Sequence, residues 1–322
     1  LTRIAASSYS VWPKMTSASA TYRLYLAISM LGLLAVVLGL GVALGDVNLT
    51  ASPGAIASAC LSFVMPRVTF WSVAVLAMAS LGVVVLGLGA RSAGRQAVSS
   101  QRFVRSQIAR GMLLANTEVL IVEDPQAAAC TAGLLRPRIY LTSGAVAALE
   151  AGQLAAVVAH EAHHVARRDP LRLLLARVLA DALFFMPVLP RLASQYAAQT
   201  ELAADAAAVA ACGGRRPLAA ALLAFDQATP PSTVGIAPER VDHLLGTGSR
   251  FKLPLALLGA AIITAVALLA ITLQLSTAPA DQAETPLPTL VEQVCLILRA
   301  LLPVLAGALA VSAITRRLRT QS

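Results

Sequence analysis

The chain has 322 residues, of which 57% are hydrophobic, 13% charged and 4% aromatic, and its mean hydropathy is +0.74. A soluble domain carries about 45–50% apolar and about 25% charged residues, so a soluble globular fold, a disordered tail and a disulfide-framed secreted domain are excluded. The formal net charge of +9 would suit nucleic acid, but all of the 25 basic residues except Lys14 and Lys252 are arginines that cluster beside apolar stretches. Such clusters mark membrane topology, and no basic stripe interleaved with aromatics is present, so nucleic acid is not an expected partner.

In chain order, residues 1–21 are polar. Met15 can serve as a start, and residues 1–14 are given no function. No A-x-A cleavage site precedes the first apolar run, which reads as an anchor. Runs at 24–45 and 68–90 each exceed the roughly 20 residues a helix needs to cross a bilayer core. Between them 54–65 is apolar but too short to cross. Runs at 253–275 and 290–314 supply a third and a fourth span. Gly41 and Gly45 form one GxxxG, which reads equally as a helix-packing face or as composition.

The arginines fix an orientation. Arg91, Arg95, Arg102, Arg105 and Arg110 follow the second span with no acid among them, and Arg316, Arg317 and Arg319 follow the fourth. The 276–289 loop holds Asp281 and Glu284 and no base. By the positive-inside bias both termini and residues 91–250 are cytoplasmic, as in a multi-pass protein of a bacterial-type plasma membrane. This divides the chain into 1–110 (tail, spans one and two, basic linker), 111–250 (a cytoplasmic domain) and 251–322 (spans three and four, basic tail).

Residues 111–250 hold all four histidines. Stretches 119–122 and 138–142 read as short strands, and 150–168 and 200–211 as helices, an α+β pattern of one domain's size. Cys60, Cys130, Cys212 and Cys295 lie far apart without a CxxC and read as free thiols.

His160-Glu161-Ala162-His163-His164 contains HExxH on an expected helix. Histidines at i and i+4 share a helix face and can bind one ion through their imidazoles. The glutamate at i+1 projects beside the metal and can take a proton from a water. A His160/His163 pair could also face one ion, but His164 keeps Glu161 in its usual station. A catalytic zinc needs three protein ligands and one open position. Glu201, in Glu201-Leu202-Ala203-Ala204-Asp205, is the candidate third ligand. Asp205, four residues on, is the candidate carboxylate to orient a ligand imidazole.

HExxH followed by Arg168-Asp169 and then by ExxAD resembles the integral-membrane gluzincins. The strand-like 133–141 stretch is similar to the one preceding the motif helix in the M56 metallopeptidases, relatives of the β-lactam sensor-transducer proteases. The M48 peptidases share the same two motifs. No extracellular penicillin-binding domain follows the fourth span in these residues, so β-lactam sensing is not expected.

The resemblance implies an integral membrane, mainly α protein of about four transmembrane helices with a cytoplasmic α+β gluzincin-type domain. It implies a zinc (Zn2+) endopeptidase acting on a membrane-proximal or cytoplasmic protein, with cleavage of a repressor as one role. An M48-like quality-control protease and a non-proteolytic scaffold that keeps the zinc fold are the alternatives. The expected partners are a protein substrate at the cytoplasmic membrane face and the lipid bilayer, with a second copy of the chain left open. Arg240 resembles the family's late arginine as a donor to the oxyanion, with His243 as the alternative. From the residues themselves, strand residues Arg138, Ile139, Tyr140 and Leu141 offer either an edge for an extended substrate or a core strand.

The apolar segment 171–189 poses a parity problem. One crossing would put Glu201 outside and His160 inside, and two crossings do not fit between His164 and Glu201. Arg172, Arg177 and Asp181 argue against lipid on all sides. The segment is expected as a buried, re-entrant or interfacial helix, with the zinc site at the cytoplasmic membrane surface.

Overall fold

The computed structural model describes residues 18–45, 47–48, 52–61, 70–114, 117–228, 254–277, 285–286, 288 and 290–295. Arg240, His243, residues 1–14 and the fourth apolar run beyond residue 295 lie outside the described residues. The chain forms two compact units, Leu1–Gly32 with Val85–Ile262, and Leu33–Val84 with Ile263–Ser322. These boundaries cut through three long helices and so differ from the sequence-ordered division at 110 and 250.

The elements in chain order begin with α1 (Ala18–Gly45), β1 (Val47–Asn48), α2 (Pro53–Leu61) and α3 (Phe70–Ser106). Strands β2 (Ala109–Leu114), β3 (Thr117–Val122), β4 (Ala129–Ala132) and β5 (Arg138–Thr142) follow. Then come α4 (Ser143–Ala148), α5 (Ala151–Arg167), α6 (Asp169–Ala182), α7 (Val188–Ala211), α8 (Arg216–Ala228), α9 (Leu255–Ser276) and β6 (Thr285–Pro286). The protein is mainly helical with a small mixed sheet. Three helices, α1, α3 and α9, are long and apolar enough to cross a membrane. They correspond to the runs expected at 24–45, 68–90 and 253–275. Helix α3 does not stop at residue 90 but continues to Ser106, so most of the basic stretch is helix rather than linker. Arginine, glutamine and alanine are good helix formers, and one glycine at position 94 costs only about 1 kcal/mol.

In the unit of Leu33–Val84 and Ile263–Ser322, Ala43, Val75, Met78, Leu275 and Leu290 form the buried apolar cluster. Gln293 Nε2 donates to Ser72 Oγ at 2.9 Å in a buried contact. A Cβ on Gly39 would meet Met78 Sδ at 2.8 Å and Thr272 Oγ1 at 3.1 Å, so this glycine lets the helices approach. Among the described residues nothing lies within 4 Å of such a Cβ on Gly41 or Gly45. Strands β1 and β6 pair in parallel. Cys295 is disulfide-bonded, which corrects the expectation of four free thiols; Cys130 and Cys212 are free.

The other unit is built on a four-stranded sheet of order β2-β3-β5-β4. Strand β3 runs parallel to β5, while β2 and β4 are antiparallel to their neighbours. Val119, Ile139 and Leu141 meet Val157 and Val158 of α5 in the core under the sheet. Strand β5 therefore lies inside the sheet with Ile139, Tyr140 and Leu141 buried. The expectation that 138–141 forms a substrate-binding edge is corrected, because both sides of this strand's backbone are already paired. The edge beside α5 is β4.

Segment 171–189 breaks into α6, a turn and the first residues of α7. At 14 residues α6 is about 21 Å long, short of the roughly 30 Å of a bilayer core. Ala176, Leu179, Ala182, Leu183 and Met186 are buried. Tyr25 of α1 donates its hydroxyl to the Ala176 carbonyl, and Ser92 of α3 donates to Asp181. The start of α1 and the later part of α3 thus both pack on α6.

Gly144 opens α4, where its N–H donates to the Asp124 carbonyl at 2.9 Å. A Cβ there would stand 2.2 Å from the Pro125 carbonyl oxygen, and backbone cannot yield as a side chain does. Gly144→Ala is expected to cost about 3 kcal/mol, read as a lowered thermal unfolding midpoint of the purified protein; an unchanged midpoint would contradict the close approach.

Candidate metal centre

Helix α5 begins at a capping box, with Glu150 and Gln153 each satisfying a backbone N–H of the other. Two of its faces are used. Leu154, Val158, Ala162 and Val165 pack on the sheet core. Val157, His160, Glu161 and His164 line a cleft of about 850 Å³. Helix α7 lies against α5 through small residues, with Ala156 and Ala208 buried and Ala159 packed beside them. These alanines bring the helices close, and carboxylates of α7 reach imidazoles of α5.

The result is a convergence of donors. His160, His164 and Glu201 each offer one ligand atom within 4.8 Å of the others. The two Nε2 atoms are 3.2 Å apart. Glu201 Oε2 lies 3.6 Å from His160 Nε2 and Oε1 lies 3.6 Å from His164 Nε2. Four-coordinate zinc with bonds of about 2.0–2.1 Å has ligand atoms about 3.3 Å apart, so the spacing fits a cation of that size. The other ring nitrogens face carboxylates. Asp205 Oδ1 is 2.9 Å from His160 Nδ1, and Asp169 Oδ2 is 2.9 Å from His164 Nδ1. Asp205 and Asp169 are fully buried, whereas the Glu201 side chain is 39% exposed, which leaves the site open on that side. His163 is half-buried and outside the group.

The position of Asp169 depends on one residue. Arg168 ends α5 and precedes α6 in the left-handed region, φ 54° and ψ 43°, and no other described non-glycine residue has a positive φ. That turn swings the Asp169 carboxylate back onto His164. The HExxH glutamate is also held: Thr131 of β4 donates its hydroxyl to Glu161 Oε2 at 2.7 Å. Glu161 is 8% exposed. Thr131 and the pairing of Asp169 with His164 were not anticipated from the sequence. The spacing of Arg168-Asp169 after the motif was the available signal for Asp169, and none pointed to Thr131.

Burial alone would lower the His160 pKa, but the carboxylates of Asp205, Glu201 and Glu161 outweigh it and raise it to about 9. Cys130, on the cleft wall beside Thr131, has its thiol pushed up to about 11 by desolvation and then by Glu161, and it is not among the residues whose ligand atoms converge.

The BlaR1 peptidase M56 family model matches residues 63–240, more than half of the chain. The chain belongs to the M56 peptidase family. No curated protein and no solved structure matches it. M56 peptidases are metalloproteases, and the His160/His164/Glu201 group falls inside the matched region of this M56 member. Arg240 is the last matched residue and His243 lies beyond it.

Two outcomes follow for metal binding. Asp205→Ala and Asp169→Ala each leave an imidazole without its orienting carboxylate and are expected to weaken zinc about 10–100-fold, measured by competition with a chromophoric chelator. Since His160 must lose its proton to bind, affinity should rise about tenfold per pH unit as pH increases toward 9 and level off above it; a flat profile between pH 7 and 9 would refute the raised pKa.

Proposed function

We propose that this M56 peptidase is a zinc-dependent endopeptidase that hydrolyses a membrane-embedded or membrane-tethered protein at the cytoplasmic face of the plasma membrane. The observation that carries the reading is the placing of Glu161. Its carboxylate is held by Thr131 on the wall of an open cleft, next to three donors that converge at zinc distances. His160, His164 and Glu201 would hold the metal, with Asp205 and Asp169 setting the two imidazoles. Bound zinc supplies Lewis acidity toward a scissile carbonyl and lowers the pKa of a water. Glu161 takes that water's proton on its carboxylate and later passes a proton to the leaving amine. A further donor for the oxyanion is assigned to Arg240, with His243 as the alternative.

The substrate backbone has a place to pair. Among the described residues no strand occupies the outer side of β4, and that strand lines the cleft. An added strand is recognised along its backbone rather than at its ends, which supports cleavage within a chain. The fully paired β5 does not serve in this way.

Sidedness rests on charge and redox chemistry. Arg91, Arg95, Arg102, Arg105 and Arg110 follow the apolar part of α3. The start of α1 and the end of α3 share α6 as a packing partner, which supports a single side for both. The disulfide at Cys295 suits an oxidising outer face, whereas Cys130 and Cys212 are free thiols, as a reducing cytoplasm requires.

Glu161→Gln should retain bound zinc and lose about 10²–10⁴-fold in peptide cleavage, measured side by side with the wild type. Metal retained with no Glu161-dependent cleavage of any peptide or membrane protein would favour a scaffold instead. For topology, an impermeant thiol reagent applied to intact cells should leave Cys130 and Cys212 unlabelled until the membrane is opened; labelling of Cys130 from outside would overturn the orientation.

A further inference from the structure

The cleft extends well past the metal centre, and its remote end carries one charge. Helix α6 turns Pro170, Leu173, Leu174 and Arg177 to it, and α3 turns Gln96, Ser99, Ser100 and Phe103. Both sets follow the i, i+3, i+4, i+7 spacing of a single helix face. Arg177 is the only arginine or lysine among the lining residues. It takes part in none of the ion pairs among the described residues. The nearby acids are committed elsewhere: Asp181, one turn on, accepts from Ser92, and Asp169 faces His164. The α3 residues that line the cleft, Gln96, Ser99, Ser100 and Phe103, carry no charge.

We infer that Arg177 makes the cleft selective for substrates that carry a carboxylate about three or four residues from the scissile bond. The distance follows from two rises. Arg177 is eight residues along α6 from Asp169, or about 12 Å at 1.5 Å per residue, and an extended peptide advances about 3.4 Å per residue. Close to the scissile bond an acidic side chain meets Glu161, Glu201 and the buried Asp205 and Asp169, and is repelled. At the far end it meets a guanidinium whose planar fork binds a carboxylate through two hydrogen bonds. Arg177 is exposed, so the pair is formed in contact with water and weakens as salt is added. The carboxylate can come from an aspartate or glutamate side chain or from the end of the substrate chain.

This inference rests on the peptidase reading, and the experiment separates the two. The full-length protein, zinc-loaded in lipid nanodiscs, is given a proteome-derived peptide mixture and its cleavage sites are read by mass spectrometry. Matched peptides are then made with Glu, Gln or Lys at the third and fourth positions from the cut, and with a free or amidated C-terminus ending there. In the wild type the ratio of kcat/KM for the Glu over the Gln peptide is expected to be about ten. It should fall to about one in Arg177→Gln, invert in favour of Lys in Arg177→Glu, and be partly kept in Arg177→Lys. A preference confined to the free C-terminus over the amide identifies the chain end as the source. Glu161-dependent cleavage with the same ratio in wild type and both charge-changing variants overturns the role of Arg177 and leaves the peptidase reading intact. No Glu161-dependent cleavage by the wild type overturns both.

Discussion

Two imidazole nitrogens and a carboxylate oxygen point at one another across 3.2 to 3.6 Å. With each Nδ1 turned to a carboxylate, the Nε2 atoms present lone pairs, and three such groups repel unless a positive charge sits among them. The carboxylates of Asp205, Glu201 and Glu161 draw positive charge to this point, and they raise the His160 pKa to about 9 against the effect of burial. A divalent cation provides it better, at bond lengths the spacing already matches. Much of the unit around the site serves to hold this unfavourable arrangement in place. The alanine contacts bring α7 against α5, the left-handed Arg168 returns Asp169 to His164, and the sheet edge fixes Glu161 through Thr131.

The same helices tie the centre to the apolar part of the chain. Helix α6 starts with Asp169 at the metal site, and α1 and α3 reach its second half through Tyr25 and Ser92. It is too short to cross a bilayer, and its apolar face, with Ala176, Leu179 and Ala182, is buried against other helices. The cleft runs along α6 from the donors to Arg177, so a substrate bound there lies along a helix that α1 and α3 themselves clamp.

Much of the centre was legible because helical spacing is a strong signal. HExxH and the Glu201/Asp205 pair each require only that one segment be helical, and the structure brings the two segments together. Features that depend on pairing between distant segments were not legible. Strand β5 showed its apolar character, but a strand's neighbours are set by the rest of the sheet, so its place inside the sheet was only one of two readings. Strand β4 has four residues, two of them alanine, and no alternation to reveal it, so Thr131 went unseen. The partnership of Asp169 with His164 needs a positive φ at an arginine, which local propensity disfavours. The continuation of α3 past residue 90 was masked by its arginines, which signal topology and helix at once. Arg177 was visible as a charge in an apolar segment, but the face it occupies followed only from the packing of α6.

The central claim is that His160, His164 and Glu201 together hold one divalent cation. Zinc-edge X-ray absorption on the purified protein tests it most directly. One zinc per chain, with two imidazole nitrogens and oxygen ligands at about 2.0–2.1 Å, is the predicted result, and His160→Ala with His164→Ala should abolish it. A protein that purifies without metal and takes up none at pH 8, or one whose zinc persists unchanged after both substitutions, would contradict the account.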